Sequence, residues 1–249
     1  MSLKILFAGE SWMKHIIHVK GFDSFTTSEY DEGVKWIREA FLEEGHAFDY
    51  LPSHVVPNQF PTTLEELKKY DVVIISDVGA NSLLLSSTTF DQSVVAPNRL
   101  QLIHDYVEQG GGFMMIGGYL TFQGIEALGK YYGTPIEKCL PVNMHPHDDR
   151  MEKPEGIIPL EMNGGHPILK GVPSQWPAFL GYNQLIAKDS AEVLVKAGDD
   201  PFLAVHEYGD GRTAAFASDC SPHWGPKEFL DWDGYANLWN GIVTWLAKK

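Results

Sequence analysis

Residues 97–118 read PNRLQLIHDYVEQGGGFMMIGG, and this stretch decides the fold class. Pro97 suits a first helical position, where a missing N–H leaves nothing unpaired. Leu100, Ile103, His104 and Val107 then recur on one face, which predicts an amphipathic helix from Pro97 through about Gln109. Gly110-Gly111-Gly112 stops it. Phe113-Met-Met-Ile116 follows with no polar side chain for water, so it reads as a strand covered on both faces, running into Gly117-Gly118.

The same grammar recurs upstream. Lys4–Ala8 is a short apolar run ending at Gly9-Glu10. From about Tyr30 to Glu44, Val34, Ile37, Phe41 and Leu42 recur at helical spacing, with Gly45 as a C-cap. His46–Leu51 reads as a strand, and Thr62 or Thr63 caps a short helix over Leu64–Lys69. Asp71–Ser76 is β-branched in the manner of a parallel strand. Four strand–helix alternations imply an α/β fold with a doubly wound, mainly parallel sheet.

Downstream the pattern changes to a β-rich extension. Strand-like runs fall at Gly156–Glu161, Leu180–Ala187, Ala191–Lys196 and Phe202–Glu207. The last pairs with Arg212–Ser218 through the hairpin signal at residues 208–211, Tyr-Gly-Asp-Gly. Tyr235, Leu238, Trp239, Ile242, Val243, Trp245 and Leu246 form a closing aromatic helix. No repeat or low-complexity linker interrupts the 249 residues, so one domain over 1–249 is expected.

Nineteen basic against 33 acidic residues give a formal charge of −14, which repels phosphate backbones and anionic lipid and argues against nucleic acid and membrane as partners. Cys139 and Cys220 are too few for a disulfide framework and lack zinc-motif spacing. No basic leader precedes the first strand, and a cytoplasmic location is the default. No cofactor motif is present, so none is expected.

In parallel α/β sheets, ligands sit beyond the carboxyl ends of the strands. That rule selects Gly9–Trp12, Ser76–Gly79, Gly117–Thr121 and Ser218–Trp224.

GGGFMMIGGYLTF at 110–122 and GRTAAFASDCSPHW at 211–224, with the aromatic helix, resemble the class I glutamine amidotransferase-like superfamily, which also holds trehalose-utilisation-type proteins. The resemblance covers most of the chain and implies its flavodoxin-like fold. In true members a cysteine occupies a tight strand-to-helix turn, a histidine follows the last sheet strand, and a carboxylate orients that histidine. Here the turn is Gly117-Gly118-Tyr119-Leu120-Thr121, with no thiol. His223 stands where the histidine is expected, but His223-Trp224-Gly225 replaces the usual His-Pro-Glu. The resemblance thus implies the fold without glutaminase activity.

Other readings stay open beside this one. Glu10 either faces the Gly118 turn or caps a helix start, and Asp77 and Asp219 share that double reading. Thr121 is a candidate nucleophile if a base adjoins it, and Cys220 a candidate thiolate beside His223 or a buried core residue. His15 and His18 share a face if their segment is helical, and His145, His147, Asp148 and Asp149 form either a metal-binding or a solvated loop. Trp12, Tyr119, Trp224 and Trp232 either stack on a sugar-like ligand or fill space.

The expectation is therefore a small-molecule site with His223, Glu10 and Asp219 as catalytic candidates. Ser11, Trp12, Asp77, Gly117, Gly118, Tyr119, Thr121 and Trp224 are the binding candidates. A non-catalytic interaction module and a metal-dependent hydrolase are the alternatives, and homo-oligomerisation is expected from the aromatic helix.

Overall fold

The computed structural model describes residues 2–248. Its central sheet is built from Lys4–Gly9 (β1), Ala47–Leu51 (β2), Val72–Ser76 (β3), Gly112–Ile116 (β4), Leu160–Glu161 (β5), Glu192–Ala197 (β6), Asp200–Tyr208 (β7) and Gly211–Phe216 (β8). Their order is β2-β1-β3-β4-β8-β7-β6-β5. The first five in that order are mutually parallel and the last three add antiparallel strands at one edge. Strands β3 and β4 are buried at every residue, as their unbroken apolar sequences require.

Three longer helices, Lys35–Glu43 (α1), Arg99–Glu108 (α2) and Tyr235–Leu246 (α3), cover the sheet. α1 and α3 pack on one another, and the Asn240 amide of α3 donates to the Ala40 carbonyl at 3.1 Å. α3 directs Tyr235, Leu238, Trp239, Ile242, Val243 and Leu246 into the chain's own core. One hydrophobic cluster runs from Leu3 to Leu246.

The order β2-β1-β3-β4-β8 is the flavodoxin-like order, and it places the switch point between β1 and β3. Residues following those two strands therefore border the crevice. Gly9 lets the backbone turn there: at φ 122° a Cβ would stand 1.6 Å from the Ser76 carbonyl oxygen.

Several boundaries differ from the sequence reading. The helix expected from Tyr30 begins at Lys35, and Leu42 is exposed. Residues Asp23–Glu32 instead pair with Ser11–Lys20 in a ten-residue antiparallel hairpin, hereafter the arm. His15 and His18 lie on that arm, where residues three apart point to opposite faces, so they share none. α2 begins two residues after Pro97 because the Asn98 side chain caps it, accepting from the Leu100 and Gln101 N–H groups at 3.0 and 3.2 Å.

Gly156–Glu161 is not one strand. Arg150–Ile157 pairs with Phe179–Asn183 as a separate ribbon, and only Leu160–Glu161 joins the main sheet. Leu180–Ala187 divides likewise, Ile186–Ala187 pairing with Val142–Asn143. The hairpin joining β7 to β8 forms as read.

Candidate active site at the switch point

Three carboxylates meet beyond the carboxyl ends of the parallel strands. Glu10 follows β1, Asp77 follows β3 and Asp219 follows β8, and Glu10 and Asp77 both take positive φ, 49° and 50°. Such a conformation is uncommon outside glycine and clusters at functional sites. Here it turns each backbone out of its strand at the switch point.

Glu10 is only 2% exposed, yet it lines the cleft. Oε1 accepts a very short hydrogen bond from the Ser76 hydroxyl, and Oε2 accepts from the Ser221 hydroxyl at 2.8 Å. Ser221 Oγ also lies 3.2 Å from Asp219 Oδ1, which accepts the Ser221 N–H at 3.1 Å. A serine thus bridges two carboxyl groups. On its other oxygen Asp219 faces His223 Nδ1 at 3.4 Å. Asp77 Oδ1 accepts the Leu120 N–H at 2.7 Å and so holds the glycine turn after β4.

Burial shapes the proton chemistry of this group. It pushes Glu10 well above the usual carboxylate range, and the charges of Asp219 and Asp77 push it further. It pushes Asp219 up to about 8, with Asp77 adding to the rise, and raises Asp77 as well. The same loss of water lowers His223. The balance near neutral pH is a protonated carboxyl beside a neutral imidazole, an acid and a base separated by environment.

The cleft over these groups has a volume of about 370 Å³ and is lined by Glu10, Trp12, Asp77, Tyr119, Asp219, Ser221, Pro222 and His223. The Tyr119 ring meets His223 edge-on at 4.3 Å between centroids, and Trp224 contacts both, stacking on the imidazole at 5.2 Å and meeting Tyr119 at 5.6 Å. Glu152 fixes this trio. It accepts the Tyr119 hydroxyl at 2.9 Å and the Trp224 indole N–H at 3.0 Å. The Arg150 guanidinium lies 4.9 Å over the Tyr119 ring.

Six of the catalytic and binding candidates therefore line one cleft: Glu10, Trp12, Asp77, Tyr119, Asp219 and His223. The others stand behind it. Ser11 Oγ accepts the Ser53 N–H at 2.8 Å. Thr121 is wholly buried and its hydroxyl has no partner. Gly117 packs on Ala217 and Asn183. The Asn183 side chain accepts the Gly118 N–H at 3.0 Å and donates to the Gly118 carbonyl at 3.2 Å and Asp149 Oδ1 at 2.8 Å.

Cys220 is buried, and its thiol is raised far above its ordinary value by that burial and by Glu10 and Asp219, so it is no thiolate. Neither the arm histidines nor the His145–Asp149 loop gathers three metal-type ligands among the described residues. In that loop Asp148 grips Arg150 at 2.7 Å, and Asp149 accepts the Gln123 and Gly124 N–H groups at 3.0 and 2.8 Å. A larger cavity, about 560 Å³ beside Arg212 and Trp245, opens at the opposite end of the sheet from the three acids.

Sequence reasoning missed Ser76 and Ser221 as carboxylate partners, although both lay in the loops it singled out. Asn183, Arg150 and Glu152 carried no signal, because only the folding of the β-rich extension brings them to the site.

A family model described as "Putative glutamine amidotransferase" matches residues 4–248. None of the curated proteins matches significantly. Among solved structures, a cytoplasmic protein from Salmonella typhimurium is 48% identical with a TM-score of 0.95, over 98% of this chain and 99% of that one. A second cytoplasmic protein, from Salmonella typhimurium LT2, is 46% identical with a TM-score of 0.94 over the same shares. A "Putative thua-like protein" from Parabacteroides merdae, 11% identical with a TM-score of 0.58 over 99% of this chain and 90% of that one, shares the fold.

Proposed function

Given that this chain belongs to the family described as "Putative glutamine amidotransferase", and that its turn after β4 carries no thiol, we propose that it binds and hydrolyses a small, uncharged, hydroxyl-rich ligand without a covalent enzyme intermediate. The observation that carries this reading is the convergence of Glu10, Asp219 and His223 on one aromatic-walled cleft. Among the described residues no lysine or arginine lines the cleft to hold an anionic ligand, while hydroxyl groups can hydrogen-bond to its three carboxyl groups. Trp12 and Tyr119 offer faces for a sugar-like ring.

In the proposed reaction the neutral imidazole of His223 takes a proton from the attacking water. The protonated carboxyl of Asp219, coupled through Ser221 to Glu10, gives one to the departing oxygen. Asp77 keeps the Gly118 turn in place. We further propose a cytoplasmic location, in keeping with the two Salmonella relatives, and function as a homo-oligomer.

Isothermal titration with neutral sugars and polyols tests the binding reading. Binding is expected in the wild-type protein and a loss of about tenfold or more in Trp12→Ala, with His223→Ala losing turnover rather than affinity. Release of ammonia from glutamine, or a preference for anionic ligands, would sink the proposal.

A second reading, a metal-dependent hydrolase, draws support from one feature. Ligand atoms of Glu10, Asp219 and Cys220 all lie within 4.8 Å of one another. Both Glu10 oxygens already accept hydroxyl hydrogen bonds, so a cation would have to displace Ser76 and Ser221.

A further inference from the structure

The arm, Ser11–Lys20 paired with Asp23–Glu32, forms a two-stranded sheet of its own in which no third strand joins among the described residues. Ten residue pairs make it about 34 Å long at the usual strand rise. A lone two-stranded ribbon is marginally stable in water, and one this long needs a partner for a face.

Its register sorts the side chains. One face carries Trp12 opposite Asp31, Lys14 opposite Glu29, Ile16 opposite Thr27, His18 opposite Phe25 and Lys20 opposite Asp23, with Lys14 bonded to Asp31 at 2.7 Å. The other face, from Met13 to Val19 and Ser24 to Tyr30, has no lysine, arginine, aspartate or glutamate: Met13 opposes Tyr30, His15 opposes Ser28, Ile17 opposes Thr26 and Val19 opposes Ser24. Such alternation marks a ribbon with one wet and one covered face. Yet Ile17 and Val19 stand 69% and 70% exposed, and Phe22 at the tip is wholly exposed.

At its base this face touches the body. Tyr30 meets His54 edge-on at 5.3 Å, and four residues on, Asn58 bonds to Ser87 at 2.9 Å. Ser87 begins a short helix carrying exposed Phe90, followed by Val95 at 97% exposure.

We propose that the charge-free arm face and the Phe90–Val95 loop form one interface with a second copy of this chain. Together they present apolar side chains on the order of 1,000 Å², against about 800 Å² per partner in a standard stable interface. A nucleic acid or an anionic membrane would need basic residues here, and the face has none. A second copy supplies the same uncharged ribbon about a two-fold axis, and two ribbons stacked face to face make a four-stranded sandwich. The arm springs from Glu10, and its Trp12, on the face turned away from this interface, lines the cleft.

This inference rests on the homo-oligomer reading and locates its interface. Sedimentation velocity on the full chain tests both. The wild type is expected to be a dimer, or an even multiple, at micromolar concentration. Ile17→Glu and Phe90→Glu should each raise the dissociation constant at least 100-fold, and Ile16→Glu, on the charged face, should change it less than threefold. A monomeric wild type overturns both readings. A dimer that survives Ile17→Glu, or one lost equally in Ile16→Glu, leaves oligomerisation standing and overturns this interface.

Discussion

At the scale of single residues, Cys220 shows how position decides chemistry. Beside a histidine in sequence, it invites a thiolate–imidazole reading. In the folded chain its thiol is sealed, with the Glu10 and Asp219 carboxyls around it and Ser76 Oγ 3.8 Å away. Burial first, and then the two carboxyl groups beside it, oppose the thiolate. Cys139 is sealed as well, its thiol pushed up to about 12 by burial. Native protein treated with iodoacetamide at pH 8 should therefore show no adduct by intact mass spectrometry, with both thiols labelling only after denaturation. Rapid labelling of Cys220 in the native state would restore the nucleophile reading.

At the scale of elements, the site depends on a contact between the sheet and the β-rich extension. The strand Phe179–Asn183 ends in a fully buried amide that clasps the Gly118 backbone at both its N–H and its carbonyl. Gly118 itself has φ 149°, and a Cβ there would stand 2.9 Å from Asp77 Oδ1. The turn is thus held between Asp77 and Asn183, with Asp149 behind. Asn183→Ala would leave buried groups unpaired, and urea denaturation should show a loss of about 3 kcal/mol. A loss under about 0.5 kcal/mol would mean the turn holds itself.

At the scale of the whole molecule, the buried acids couple folding to pH. Asp219 in the folded chain holds its proton up to about pH 8, whereas an unfolded aspartate releases it near 4. Between those values the native state binds more protons, so this group's contribution to stability falls as pH rises through the window. Glu10 is displaced in the same direction. His223, lowered by burial, works the other way: its contribution is lost as pH falls below about 6.5. Above that point the carboxyls act alone. Asp219→Asn, neutral throughout, should melt about 3 °C or more above the wild type at pH 8, with the gap closing by pH 5. Equal melting curves at both values would show that Asp219 ionises normally.

The sequence by itself determined the parallel half of the sheet, because strands buried on both faces must be written in unbroken apolar residues and their helices in a 3.6-residue period. It also placed Glu10, Asp77, Asp219 and His223 at strand ends, since a parallel sheet gathers those ends on one edge. It misjudged the arm, where a ribbon with one bare face lacks the full burial that marks a core strand, and Val34–Phe41 suggested a longer helix. Only the tertiary structure decided which strand-end residues share a cleft and which stand behind it. It alone revealed the Ser221 bridge between Glu10 and Asp219, and the hold of Asn183 and Glu152 on the site. Those contacts join residues up to 211 positions apart, and no local pattern encodes a distance of that kind.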